Sequence, residues 1–150
     1  MGPKKGCLLL QFPPSNTIRQ LHAVGALLQT LAAVDPAHEW RKAVEFRHAN
    51  WYAADTFDML NHHGASLVRH DKGPARNARL NEEVDFVYLS FHGPQGNYRK
   101  SYERDFLHDQ AEQIHEYLQE GKDVYAYFNN TMGAAFENAQ DLYRLVAERA

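Results

Sequence analysis

Glu45 and Arg47 stand two residues apart in the stretch Ala43-Val44-Glu45-Phe46-Arg47-His48-Ala49-Asn50-Trp51. Side chains alternate along a strand, so the carboxylate and the guanidinium share one side and Val44 and Phe46 the other. An unpaired buried ion costs several kcal/mol. The pair is therefore expected to face a polar interior or a ligand cleft. There Glu45 would act as a base or ligand anchor and Arg47 as an anion clamp. The competing expectation is structural: the two ions satisfy each other and strands about 4.8 Å away.

Further residues able to do chemistry stand at or just after predicted strand ends: Gln11, His48, Trp51, Asp71, His92, Tyr127, Asn129 and Asn130. Trp51 would give a stacking wall. Glu45, His48, Asp71 and His92 are acceptable ligands for Zn²⁺ or Mn²⁺. No close-spaced metal motif is present, so no metal ligand is assigned, and no cofactor is identified. The run Asn129-Asn130-Thr131-Met132-Gly133 leads from a strand into a helix. Its amides would lie at the positive helix end and could bind an anion. The alternative there is N-capping by Asn130 or Thr131. Arg41-Lys42 and Arg76/Arg79 read as solvated basic spots, and Cys7 as a packing residue.

These side chains need a frame. Residues 7–12 read as a strand stopped by Pro13-Pro14. Ser15, Asn16 and Thr17 offer caps for a helix to about residue 34, with Ile18, Leu21, Val24, Leu28 and Leu31 as its buried stripe. The strand around Glu45 follows, then a helix over 54–63 closed by Gly64, then a strand over 65–70. Residues 71–83 and 93–97 read as loops, 85–92 and 124–128 as strands. Helices are predicted over 103–119, with Phe106, Ile114 and Leu118 inward, and over 134–148. Strand–helix alternation implies a parallel sheet with right-handed crossovers. Several strands carry one polar or aromatic side: Glu45 and Arg47; Tyr88, Ser90 and His92; Tyr125, Tyr127 and Asn129. A doubly wound sheet would be apolar on both sides. The expected fold is therefore α/β and TIM-barrel-like but partial: about five parallel strands with helices on one face, in a single domain over 1–150. A full barrel needs eight strands and about 250 residues.

The 150 residues are 44% hydrophobic and 23% charged, with a net charge of -3. These are globular values, and the acidic balance argues against tight non-specific nucleic-acid binding. A single Cys excludes an internal disulfide and fits a reducing compartment. No apolar run reaches the roughly 18 residues needed to span a bilayer, so the expected location is cytoplasmic.

The segments Leu8-Leu9-Leu10-Gln11-Phe12-Pro13-Pro14-Ser15, Val44-Glu45-Phe46-Arg47-His48 with Trp51, His70-Asp71, the run from Tyr88 to Gly93, and Asp123-Val124-Tyr125-Ala126-Tyr127-Phe128-Asn129-Asn130 together resemble the YecE-like family, domain of unknown function 72. The resemblance implies a barrel of the triosephosphate-isomerase type with no settled activity. Family members begin with about three further strand–helix units, so only the C-terminal portion is matched. The chain departs from the family pattern at Ser90 and Ala134, and both departures remove charge near the expected rim. Sites in such barrels gather at the strand C-termini.

The leading expectation is a binding or catalytic rim for a small anionic or phosphate-bearing ligand. The alternatives are a nucleic-acid enzyme or binder, by fold analogy alone, and an inactive incomplete module that self-associates through its exposed sheet edges.

Overall fold

In the computed structural model, residues 6–149 are described. Strand β1 (Cys7–Phe12) leads through a 3₁₀ turn at Ile18–Gln20 into α1 (Leu21–Val34). Then come β2 (Arg41–Phe46), α2 (Ala54–His62), β3 (Ala65–Leu67), β4 (Arg69–His70) and β5 (Phe86–Phe91). The chain ends with the short β6 (Arg99–Lys100), α3 (Arg104–Gln119), β7 (Asp123–Phe128), the short β8 (Met132–Gly133) and α4 (Ala135–Ala147). Every strand pairing is parallel: β1-β2-β3, β4-β5-β7 and the small pair β6-β8. Val68 alone separates β3 from β4, and its N–H still donates to Val44 O at 2.9 Å. The strand expected over 65–70 is thus two pieces of one path.

The register shows which face the helices take. Leu10 aligns with Val44, and Val44 with Leu67. These side chains bury Val24 and Leu28 of α1 and Leu60 of α2. Further along, Val87, Leu89 and Phe91 meet Leu107, Ala111 and Ile114 of α3 and Leu142 and Leu145 of α4. The opposite face holds Cys7, Ala43, Val68, Phe86, Tyr88 and Tyr125, and among the described residues no helix packs on this cluster. All four helices thus cover one side, as the one-sided polarity predicts. The sheet does not close: among the described residues, β1 and β7 each pair along one edge only.

Three expectations need correction. Leu118 is 42% exposed and not inward, because it sits beside the open β7 edge. Arg41 is not a solvated spot: it bridges Asp123 at 2.5 Å and Asp85 at 3.5 Å and lies over the Phe86 ring at 5.3 Å, closing the lower end of the uncovered face. Lys42 beside it is buried. The expected core position of Cys7 is half-buried, and burial pushes its thiol up to about 11 despite nearby Arg41. Among the described residues, no helix is long and apolar enough to cross a membrane.

Candidate functional site

Glu45 aligns with Gln11 across the β1-β2 pair, so both project from the uncovered face near the strand ends. Glu45 is 1% exposed. Its carboxylate Oε1 meets Arg47 Nε as a close ion pair, side by side and without the alignment of a good hydrogen bond. Burial pushes the Glu45 carboxyl above its ordinary range, opposed by Arg47 and His92. Arg47 Nη2 donates to Gln11 Oε1 at 3.1 Å and lies 3.1 Å from His92 Nε2. A guanidinium can only donate. His92 Nε2 is therefore the acceptor, and its proton sits on Nδ1, which lies 3.2 Å from Asp71 Oδ1.

Asp71 anchors the far end. Its Oδ1 also accepts the His92 backbone N–H at 2.7 Å, and Oδ2 accepts a very close bond from the Tyr102 hydroxyl. That hydroxyl accepts the Gly93 N–H at 2.6 Å. Burial alone would raise the Asp71 carboxyl, but the donors from His92 and Tyr102 hold it below the usual range. The phenol of Tyr102 is pushed up, by burial first and by Asp71 second. Gly93 has φ +97°, and a Cβ there would strike the Arg99 backbone, so this turn requires glycine. The result is one hydrogen-bonded line, Arg47, His92, Asp71 and Tyr102, with Glu45 joined to its Arg47 end by the ion pair. Tyr102→Phe leaves the buried Asp71 oxygen and the Gly93 amide without this partner. The expected loss is about 2 kcal/mol of stability in urea unfolding, with the Asp71 carboxyl moving up toward its ordinary range by carbon NMR.

The sequence reading overlooked His70. It is 3% exposed, its ring 6.2 Å from that of His92. Its Nε2 lies 3.0 Å from Phe46 O and 3.1 Å from the Tyr52 hydroxyl, while Nδ1 accepts the Lys72 N–H at 3.1 Å. Burial lowers its pKa to about 4. Its place two residues past Val68, on the same side of the strand, was the available signal.

The predicted residues therefore separate. Gln11, Glu45, Arg47, Asp71 and His92 converge. Tyr127 stacks on Tyr88 at 4.8 Å on the same face, and Asn129 donates to Ser90 Oγ at 3.0 Å. Trp51 is no stacking wall: it is fully buried on the helix side, 4.0 Å from the Phe46 ring, with Nε1–H donating to Asn16 O. The 3₁₀ turn at Ala49–Trp51 carries it back over that face. His48 caps this turn by accepting the Asn50 N–H at 3.3 Å. Asn130 is fully buried and donates to Lys100 O and Asn138 Oδ1.

Most amides of the run before α4, where an anion was expected to bind, already have backbone partners. Met132, Gly133 and Ala134 already donate their N–H groups to Tyr98 O, Asn130 O and Lys100 O. Nor do Asn130 or Thr131 cap α4; its N-cap is Ala134, which offers no side-chain cap. Among the described residues, no three His, Cys, Asp or Glu side chains converge as a metal site. Arg47 occupies the space between Glu45 and His92.

Two solved structures share the fold. A DUF72 family protein from Enterococcus faecalis matches with TM-score 0.73 and 20% identity over 94% of this chain and 61% of its own. A DUF72 family protein from Thermotoga maritima matches with TM-score 0.60 and 23% identity over 93% of this chain and 56% of its own. The chain thus spans about three fifths of the length of these structures. No curated protein matches it. The model of the family described as "Protein of unknown function DUF72" matches residues 1–150, and the chain belongs to that family, the YecE-like proteins.

Proposed function

We propose that the sheet is a sector of a TIM-type barrel, and that the ends of β1, β2, β4 and β5 form a rim that binds a small anionic or phosphate-bearing ligand. The observation that carries this reading is the setting of Arg47. Its guanidinium is held at Nε by Glu45 and at Nη2 by Gln11 and His92, while Nη1 makes no hydrogen bond among the described residues. A guanidinium so oriented presents the two N–H groups of Nη1 to an incoming oxyanion without losing rotamer freedom on binding. Lys72 stands at the same rim, its Nζ donating to Gly96 O and lying 3.7 Å from the Tyr98 ring centroid. Should a reaction follow binding, the Asp71–His92 pair is placed to move a proton once the ligand draws Arg47 off Nε2.

The test is titration of the chain with inorganic phosphate and pyrophosphate, followed by amide NMR shifts. Saturable shifts of residues 45–47 and 92–93 are expected. They should weaken at least tenfold in the charge-neutral double variant Glu45→Gln/Arg47→Gln, which removes both ions together and so leaves no buried charge unpaired. Unchanged shifts in that variant, or no saturable shifts at all, would leave Glu45 and Arg47 as a structural ion pair.

A further inference from the structure

Because all strands run parallel, the segments leaving their C-terminal ends share one end of the molecule, and the segments returning to their N-terminal ends share the other. The long connection from β4 to β5 serves both ends. It turns back at Asn77, which pairs antiparallel with His70, and Asn81 then bonds to Ala65 O and the Leu67 N–H lower down. Charge follows this division. Among the described residues, the outgoing segments 13–20, 47–53, 71–76, 92–103 and 129–134 hold six Lys or Arg and two carboxylates. The returning segments 35–40, 63–64, 77–85 and 120–122 hold two Lys or Arg and six carboxylates. Asp55, Asp105 and Glu137 lie in helix first turns, on the outer side of the sheet. The net charge of -3 thus conceals a basic rim and an acidic opposite end. A field divided in this way draws anions to the rim.

The two rim carboxylates leave the cations unanswered. Asp71 accepts from His92 and Tyr102, and Glu103 opens α3. Arg76, Arg99 and Lys100 are exposed, and their side chains make no ion pair or hydrogen bond among the described residues. The backbone beneath Arg99 and Lys100 is fixed: β6 pairs with β8, Asn130 Nδ2 donates to Lys100 O, and the Met132 N–H donates to Tyr98 O at 3.0 Å. The cationic segments leave neighbouring strands about 4.8 Å apart, so they spread over a width on the order of 15 Å. One phosphate on Arg47 cannot meet them all; a row of phosphates can.

An aromatic ring stands among these cations. Tyr98 holds φ +67°, a left-handed conformation strained for so bulky a residue, and strain of this kind collects at functional sites. Its ring centroid lies 3.7 Å from Lys72 Nζ and 5.5 Å from that of His92, and Tyr98 is still 37% exposed.

We infer that the rim takes a single-stranded nucleic acid, with phosphates on Arg47, Lys72, Arg76, Arg99 and Lys100 and a base stacked on Tyr98. This deepens the anion-binding reading of the rim and rests on it for the phosphate at Arg47. The exposed ring favours a single strand, because duplex bases are already stacked on one another. It also favours a nucleic acid over bare polyphosphate, which has no ring to stack.

The test is fluorescence anisotropy of the full chain with a labelled oligothymidylate of about 12 nucleotides, from about 20 to about 200 mM salt. Saturable binding is expected, with log K falling against log salt at a slope of about −3, that of about four phosphate contacts on a single strand. Arg99→Gln/Lys100→Gln should weaken it at least tenfold and flatten the slope by about 1.4, while leaving the affinity for inorganic phosphate unchanged. Tyr98→Gly, which relieves the left-handed strain, should keep the parent's stability in urea, weaken binding at least fivefold and leave the slope unchanged. Tyr98→Phe should bind as the parent does. Phosphate shifts at residues 45–47 without oligonucleotide binding would overturn this inference and leave the anion site standing; absence of both would overturn the two together. Equal affinity for a duplex or for tripolyphosphate, or oligonucleotide binding indifferent to Arg99→Gln/Lys100→Gln and to Tyr98→Gly, would also overturn it.

Discussion

Glu45→Ala is expected to lower the unfolding free energy by about 3–5 kcal/mol, because it strands a buried guanidinium. The contact between them is buried: the Glu45 and Arg47 side chains are 1% and 10% exposed, and Glu45 Oε1 and Arg47 Nε are both shut off from solvent. Without the carboxylate, Arg47 keeps only neutral partners, Gln11 and His92. Its charge then has neither water nor a counter-ion at Nε. Glu45→Gln should cost less, since an amide oxygen still faces Nε. The double variant Glu45→Gln/Arg47→Gln should recover most of the loss, because exchanging a whole buried pair is often near neutral. Urea unfolding with a constant slope reads all three. A loss under about 1 kcal/mol for Glu45→Ala would mean the pair behaves like a surface salt bridge, and the buried contact at Nε would be wrong.

Acid should destabilise the fold through His70 well before it reaches the carboxylates. The folded imidazole has its pKa lowered from 6.5 to about 4, with burial as the largest cause and Arg47 and His92 adding to it. The hydrogen bonds show why it resists a second proton. Nδ1 accepts from Lys72 N–H, so a proton there would oppose another donor. The sign follows from linkage: a depressed folded pKa gives stability that is complete above 6.5 and is lost as pH falls toward 4. A depression of that size corresponds to roughly 3 kcal/mol. Asp71, held low, adds its own loss only below the ordinary carboxylate range. Glu45, held high, acts in the opposite sense across the carboxylate range. His63, lowered by burial and by His62, contributes in the same sense as His70. The readout is therefore the difference between the parent and His70→Gln. Their unfolding free energies should converge from pH 7 to pH 4. Parallel curves would show that His70 is already solvated in the folded chain.

Much of this was legible before any coordinates. The alternation of strands and helices follows from hydrophobic period, and the one-sided polarity of β2, β5 and β7 from the two-residue repeat. That repeat alone puts Glu45 with Arg47 and Ser90 with His92. The family was legible too, in the motifs running from Leu8 to Asn130. Where parity ends, the reading failed. His48, Trp51 and Asn130 follow the last paired residue of their strands, and there a turn, not a pleat, decides direction. Trp51 went to the helix-side core, and Asn130 beneath β6.

Tertiary structure decided the partners. A two-residue repeat gives a face but no register, and register is what brings Gln11 level with Glu45 and His70 level with Ser90. Arg47 and His92 are 45 residues apart, and only their two strand ends, brought to one rim by the fold, let them meet at 3.1 Å. The tautomer of His92, the low carboxyl of Asp71 and the suppressed basicity of His70 all follow from that meeting and from the burial around it. Burial and cross-strand distance belong to the packed sheet, and no local pattern of residues encodes them.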